Sequence, residues 1–172
     1  PLVVQAFTIL RKKYLWSAEL YLAGAKESDI RDALRERQIR VEEVDWQKIH
    51  LLGDLGSEKL TDYYNLCDVF CMPSYFEAYG LVFAEALTYG LPCIGRDKFA
   101  MSEFIEDGCT GRLISGEDAE ELALDLWEVL QDPKYREEVE RRREWYLREY
   151  SWDKVARRIC SVMEKNERDK DQ

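Results

Sequence analysis

Two carboxylates interrupt the stretch PSYFEAYGLVFAEALTYGLPCIG, residues 73–95: Glu77 just before Gly80, and Glu85 inside the apolar run that follows. A carboxylate accepts hydrogen bonds from two vicinal hydroxyls, such as those of a ribose or another sugar. Gly80 allows a sharp turn and a close backbone approach, and a helix beginning after it would leave the N–H groups of Leu81 and Val82 open at its positive end, where a phosphate fits. Dipole contacts of that kind are worth roughly 0.3–2 kcal/mol, so they orient a diphosphate more than they hold it. Glu85 falls about one turn further on. Its neighbours at helical spacing, Leu81, Val82, Thr88 and Tyr89, cannot neutralise it, so its partner must come from off the helix. Glu77, on the loop before the helix, would sit across the phosphate end against sugar hydroxyls. Two plainer readings compete. Ser74-x-x-Glu77 also fits a capping box, and Glu85 also fits an ordinary exposed helix position.

The elements that would position these residues alternate. Val3, Phe7, Leu10 and Tyr14 recur at helical spacing; residues 18–24 read as a buried strand, and residues 27–39 as a helix opened by Ser28 or Asp29. Residues 48–53 read as a strand, 57–67 as a helix with Ser57 as its cap, and 68–73 as a strand that delivers 74–80 to its carboxyl end. Residues 81–89 make a helix stopped by Gly90 and Pro92; a strand at 92–95, a short helix at 101–106, the turn EDGCTG and a strand at 111–114 follow. Three helices close the chain: one with Leu122, Leu126 and Val129 on one face, one started by Asp132 as cap and Pro133 as first residue, and one opened by Ser151. The charge-dense residues 134–148 read as a solvated helix face. Alternating apolar strands and helices predict a doubly wound parallel sheet, whose ligand crevice lies off the carboxyl ends of the strands.

Composition narrows the function. A chain of 172 residues suits one well-packed domain, expected over residues 1–165 with a frayed tail at 166–172. A net charge of -10 argues against nucleic acid as a partner. No transmembrane segment and no secretion pattern are read, and the expected location is cytoplasmic. Five cysteines, an odd number in mostly apolar surroundings, read as reduced core thiols rather than a disulfide framework or a zinc site. No Gly-x-Gly-x-x-Gly loop follows a strand, which speaks against a dinucleotide-dependent oxidoreductase.

Glu77 and Glu85 at this spacing, with NLCDVFCMPS upstream and GLPCIG and EFIEDGCTGRLI downstream, resemble the carboxyl-terminal nucleotide-sugar-binding domain of retaining GT-B glycosyltransferases, glycosyltransferase group 1 (family 4). The likeness runs from LVVQAF to SWDKVARRI. It implies an α/β, Rossmann-like doubly wound parallel sheet with C-terminal helices, the second half of a GT-B fold. It also implies a hexosyl-type transfer from a UDP- or GDP-sugar with retention, without a metal or other cofactor. By the resemblance Glu77 acts on the donor sugar at the reacting centre and Glu85 binds the ribose. Tyr79, Gly80, Leu81 and Val82 line the sugar and diphosphate, and Gly53, Asp54, Leu55 and Lys59 lie at the base. His50, the only histidine, is read as structural.

The family's first strand, a loop with a basic pair that grips the diphosphate, and an amino-terminal acceptor-binding half would precede residue 2. The partners expected are therefore a nucleotide sugar and that amino-terminal half, through which peripheral membrane contact could also arise. By itself the chain is expected to bind donor weakly and catalyse little. The segment RDKFAMSEFI departs from the family in lacking paired glycines before Glu103. An epimerase or hydrolase of the same architecture, or a non-catalytic nucleotide-sensing or interaction module, shares these features.

Overall fold

The computed structural model describes the backbone of residues 1–168 and the side chains of residues 1–163; of the expected tail, 166–168 complete the last helix and 169–172 lie outside the described residues. Eight α-helices and five strands are described: α1 Leu2–Lys13, β1 Leu20–Ala23, α2 Glu27–Glu36, β2 Ile49–Gly53, α3 Ser57–Leu66, β3 Phe70–Cys71, α4 Leu81–Thr88, β4 Cys93–Arg96, α5 Met101–Phe104, β5 Gly111–Ile114, α6 Ala119–Gln131, α7 Lys134–Glu149 and α8 Trp152–Arg168. Single 3-10 turns at Val41–Glu43 and Trp46–Lys48 lead into β2. The α/β alternation is as expected, and every strand pair is parallel.

The strands form two ladders, β1–β2 and β3–β4–β5. In the second, Phe70 pairs with Cys93, and Cys93 with Gly111. Gly111 is there because the backbones approach closely: a Cβ at that position would lie 1.8 Å from the Cys93 carbonyl oxygen. One face of this ladder packs on α4, α5 and α7 through Phe83, Leu87, Met101, Phe104 and Val139. The other face packs on α1 and α6 through Ile94, Ile114, Leu122 and Leu126. The amphipathic first helix ties the ladders together. Its Leu2, Ala6 and Leu10 join the cluster with α6, while Val4 and Phe7 join Ile30, Leu34 and Ile49 around β1–β2.

Three helix starts, those of α2, α3 and α7, differ from the sequence reading. Lys26, in extended conformation, precedes α2, so Ser28 and Asp29 fall inside its first turn, where Glu27 and Asp29 complement the dipole. Gly56 rather than Ser57 caps α3, and α6 begins at Ala119 on the Asp118 carboxylate, which accepts the N–H of Glu120 at 2.8 Å. The seventh helix begins at Lys134, one residue later than expected, although Asp132 still accepts the Lys134 N–H at 3.0 Å. Ser151 caps α8 through the Lys154 N–H at 3.3 Å, as expected. Residues 134–148 form a mixed-charge surface with Glu138 paired to Arg141 and Arg142, yet α7 also buries Tyr135, Val139 and Tyr146.

The cysteines are free thiols, and Cys93 is wholly buried, which pushes its thiol well above the usual range. Among the described residues no cluster of three or more His, Cys, Asp or Glu could hold a metal ion, and no helix is long and apolar enough to cross a membrane.

Candidate functional site

The site is built at the head of α4. Gly80 takes the left-handed conformation, φ 78°, as the residue before the helix, which turns the chain from the 74–80 loop into Leu81. The turn is tightly packed: a Cβ on Gly80 would meet Phe83 at 3.1 Å and the Glu77 side chain at 3.3 Å. Glu77, half-buried, accepts the Gly80 N–H at 3.0 Å. This is local capping, but not the Ser74–Glu77 box, since the Ser74 N–H instead donates to the Met72 carbonyl at 2.8 Å. The bond fixes the carboxylate beside the helix start. Leu81 and Val82 follow as the first helical residues, with N–H groups that the helix itself cannot satisfy. Tyr79 is exposed and meets Phe104 edge-on at 5.8 Å.

Glu85 stands one turn further along α4, on its exposed side. Its partner does lie off the helix: the Tyr64 hydroxyl of α3 donates to Glu85 Oε2 at 3.2 Å. Tyr64 is buried between Tyr89, stacked at 5.3 Å, and Phe70. Burial, reinforced by the Glu85 charge, raises the phenol well above its ordinary range, so it remains a donor to the carboxylate. The arrangement gives Glu85 one fixed donor and an open side. The Thr61–Tyr89 hydroxyl pair, 3.2 Å apart, makes a second link between α3 and α4.

The loop expected at the base leads into α3. Gly53 ends β2 with φ 61° and accepts the Gly24 N–H at 2.8 Å; Asp54 and Lys59 are exposed and Leu55 is half-buried. The third helix thus connects this loop to Glu85 through Tyr64. His50 is engaged as a structural residue, 2.9 Å from Glu19 and stacked on Tyr21 at 4.5 Å. Glu103 is exposed on α5.

Sequence reasoning missed Tyr64, whose partner is 21 residues away on another helix. It also missed Arg96, which ends the fully buried strand β4; a charged residue closing the apolar run CIGR was the available signal.

Comparison with known proteins decides the family. The model of the family described as "Glycosyl transferases group 1" matches residues 1–145. The chain belongs to that family. It is 31% identical over 97 residues to a D-inositol 3-phosphate glycosyltransferase of Kribbella flavida, an alignment covering 56% of this chain and 23% of that protein. It is 28% identical over 149 residues to an uncharacterised glycosyltransferase of Methanocaldococcus jannaschii, covering 85% and 37%. Among solved structures, the pneumococcal O-GlcNAc transferase GtfA, in complex with UDP and GlcNAc, superimposes with a TM-score of 0.71 at 25% identity, covering 94% of this chain and 33% of that one. Anabaena HepE superimposes with a TM-score of 0.77 at 16% identity, covering 95% and 44%. This group 1 glycosyltransferase chain therefore has the α/β architecture of GT-B enzymes and spans less than half the length of each of these relatives, from 23% to 44%.

Proposed function

We propose that this chain is the donor-binding half of a retaining glycosyltransferase that takes its sugar from a UDP- or GDP-sugar, and that an amino-terminal acceptor-binding half completes the cleft. The observation that carries the reading is the head of α4: a left-handed Gly80, a carboxylate fixed beside it by the Gly80 N–H, open N–H groups at Leu81 and Val82, and Glu85 one turn on. Family membership and the UDP and GlcNAc held by GtfA support it.

In this reading Glu85 receives the ribose hydroxyls, its Tyr64 bond fixing which side of the carboxylate stays open. The N–H groups of Leu81 and Val82 and the backbone of Tyr79 and Gly80 line the diphosphate and sugar. Gly53, Asp54, Leu55 and Lys59 meet the base. In the transfer, the bond between the anomeric carbon and the diphosphate oxygen breaks, the electron pair leaves with the diphosphate, and an acceptor hydroxyl oxygen forms the new bond on the same face while its proton passes to the departing diphosphate oxygen. Glu77 positions the donor sugar and stabilises the positive charge developing on it, while the helix dipole and N–H groups stabilise the leaving diphosphate, without a metal. Such transfer belongs to the full-length protein, and this chain by itself is expected to bind donor without appreciable turnover.

Calorimetric titration with UDP and GDP, each with and without an attached sugar, tests the reading on this chain and on Glu85→Ala. Binding that prefers one base and weakens about tenfold or more in the variant, as expected for a lost charge-assisted ribose contact, supports it. A folded chain indifferent to all four ligands at millimolar concentration overturns it as an autonomous donor site.

A further inference from the structure

Arg96, at the carboxyl end of β4, is only 3% exposed, yet among the described residues no carboxylate lies within ion-pairing distance of it. Its Nη1 donates to the Gly116 carbonyl at 2.7 Å and its Nη2 to the Pro73 carbonyl at 3.3 Å, while its buried Nε has no partner. Strapping two loops together by their carbonyls requires neither a full positive charge nor an idle Nε. A buried cation without a counter-ion is an expensive feature, and an unsatisfied donor on it points to a group that arrives from outside.

The surroundings indicate what that group is. The guanidinium lies over the Tyr75 ring, 4.8 Å from its centre, and Arg37 approaches the same ring at 5.7 Å while donating from Nη2 to the Tyr75 hydroxyl at 2.9 Å. The other arm of Arg37 pairs with Glu117 at 3.1 Å. Glu117 thus pairs with Arg37 alone and feels the Arg96 charge only from beyond ion-pairing distance, leaving a surplus positive charge beside the loop that carries Glu77. Tyr75 offers Arg37 a hydroxyl oxygen and Arg96 an electron-rich face, the weakest forms of what guanidinium groups take from an oxyanion. Tyr75 itself is 55% exposed, so its ring has solvent on one side.

We infer that Arg96 and Arg37 form a binding site for a phosphate oxyanion, with Tyr75 standing in for it. Guanidinium forks match phosphate oxygens in pairs, and a phosphate held here would engage the Arg96 fork in place of the ring and take the Arg37 donor from the hydroxyl. Because Tyr75 lies two residues before Glu77, its displacement would shift the loop that presents that carboxylate. The phosphate could belong to the diphosphate of a nucleotide or to a second phosphorylated ligand.

The test is an NMR titration of the chain with inorganic phosphate at constant ionic strength, following the arginine Nε–H signals. The expected result is a saturable shift of the Arg96 and Arg37 signals, with the phosphate affinity read at Arg37 weakened about tenfold or more in Arg96→Met and that read at both arginines strengthened in Tyr75→Ala, where the stand-in is removed. An unmoved Arg96 signal overturns the site, as does phosphate affinity that is unchanged or reduced in Tyr75→Ala. Wild type and the exposed-residue variant carry this test even if Arg96→Met fails to fold. Loss of the phosphate shift in the presence of saturating UDP assigns the site to a nucleotide diphosphate, and persistence assigns it to a second ligand. Inorganic phosphate is the probe, so a chain indifferent to nucleotides can still show the site.

Discussion

At the scale of single residues, the head of α4 turns on Gly80, whose left-handed conformation leads the 74–80 loop into the helix while its N–H holds the Glu77 carboxylate beside the helix start. Glu77, Gly80 and Glu85 were legible because each breaks a local rule: a carboxylate in an apolar run, a glycine where a helix begins, a second carboxylate with no neighbour at helical spacing. Tyr64 was not legible, because its bond to Glu85 depends on how α3 packs on α4 rather than on any spacing within either helix. The same geometry makes Gly80→Ala informative. An L-residue in the left-handed conformation costs about 1–2 kcal/mol, and the added methyl would press on Phe83 and Glu77. Urea unfolding should show a loss of that size or somewhat more, together with weaker nucleotide binding, since the Leu81 and Val82 N–H groups would be re-aimed. A variant as stable as the parent would show that the turn is not constrained as described.

At the scale of elements, existence and order were readable, but ends were not. The second helix was expected to run to residue 39. It stops at Glu36 because Gln38 adopts a positive φ of 58° and the Ile39 N–H turns back to the Leu34 carbonyl at 2.9 Å, a closure that usually advertises itself with glycine. Gln38→Gly should accordingly raise stability by about 1 kcal/mol in a denaturant titration, because it relieves the left-handed penalty. A destabilised variant would mean that the Gln38 side chain contributes more than its backbone strain costs. Strand lengths were overestimated for a related reason. Residues 68–73 are apolar enough for a long strand, but only Phe70 and Cys71 find ladder partners on β4.

At the scale of the whole molecule, periodicity announced strands and helices but not which strands pair, so the division into two ladders held by α1 emerges only from the structure. The acidic balance, by contrast, was plain from composition and has a consequence for acid stability. Glu19, accepting from Lys48, His50 and Tyr21, is held from an ordinary 4.5 down to about 2. A carboxyl depressed on folding stabilises the protein above its unfolded value, and that contribution disappears as pH falls through the folded one. Glu19→Gln should be slightly less stable than the parent at neutral pH, the gap closing between pH 4.5 and 2. Because Glu19 is solvent-exposed, added salt should shrink the gap. Melting curves across that range check both effects, and a gap that widens on acidification would contradict the assignment.

The central claim, that the head of α4 binds a nucleoside diphosphate sugar, is tested most directly by backbone amide NMR of this chain with UDP or GDP added. The account predicts shifts concentrated at Gly80, Leu81 and Val82 and along residues 53–59, diminished in Glu85→Ala. Shifts confined to other surfaces, or none from either nucleotide in the folded chain, would contradict it.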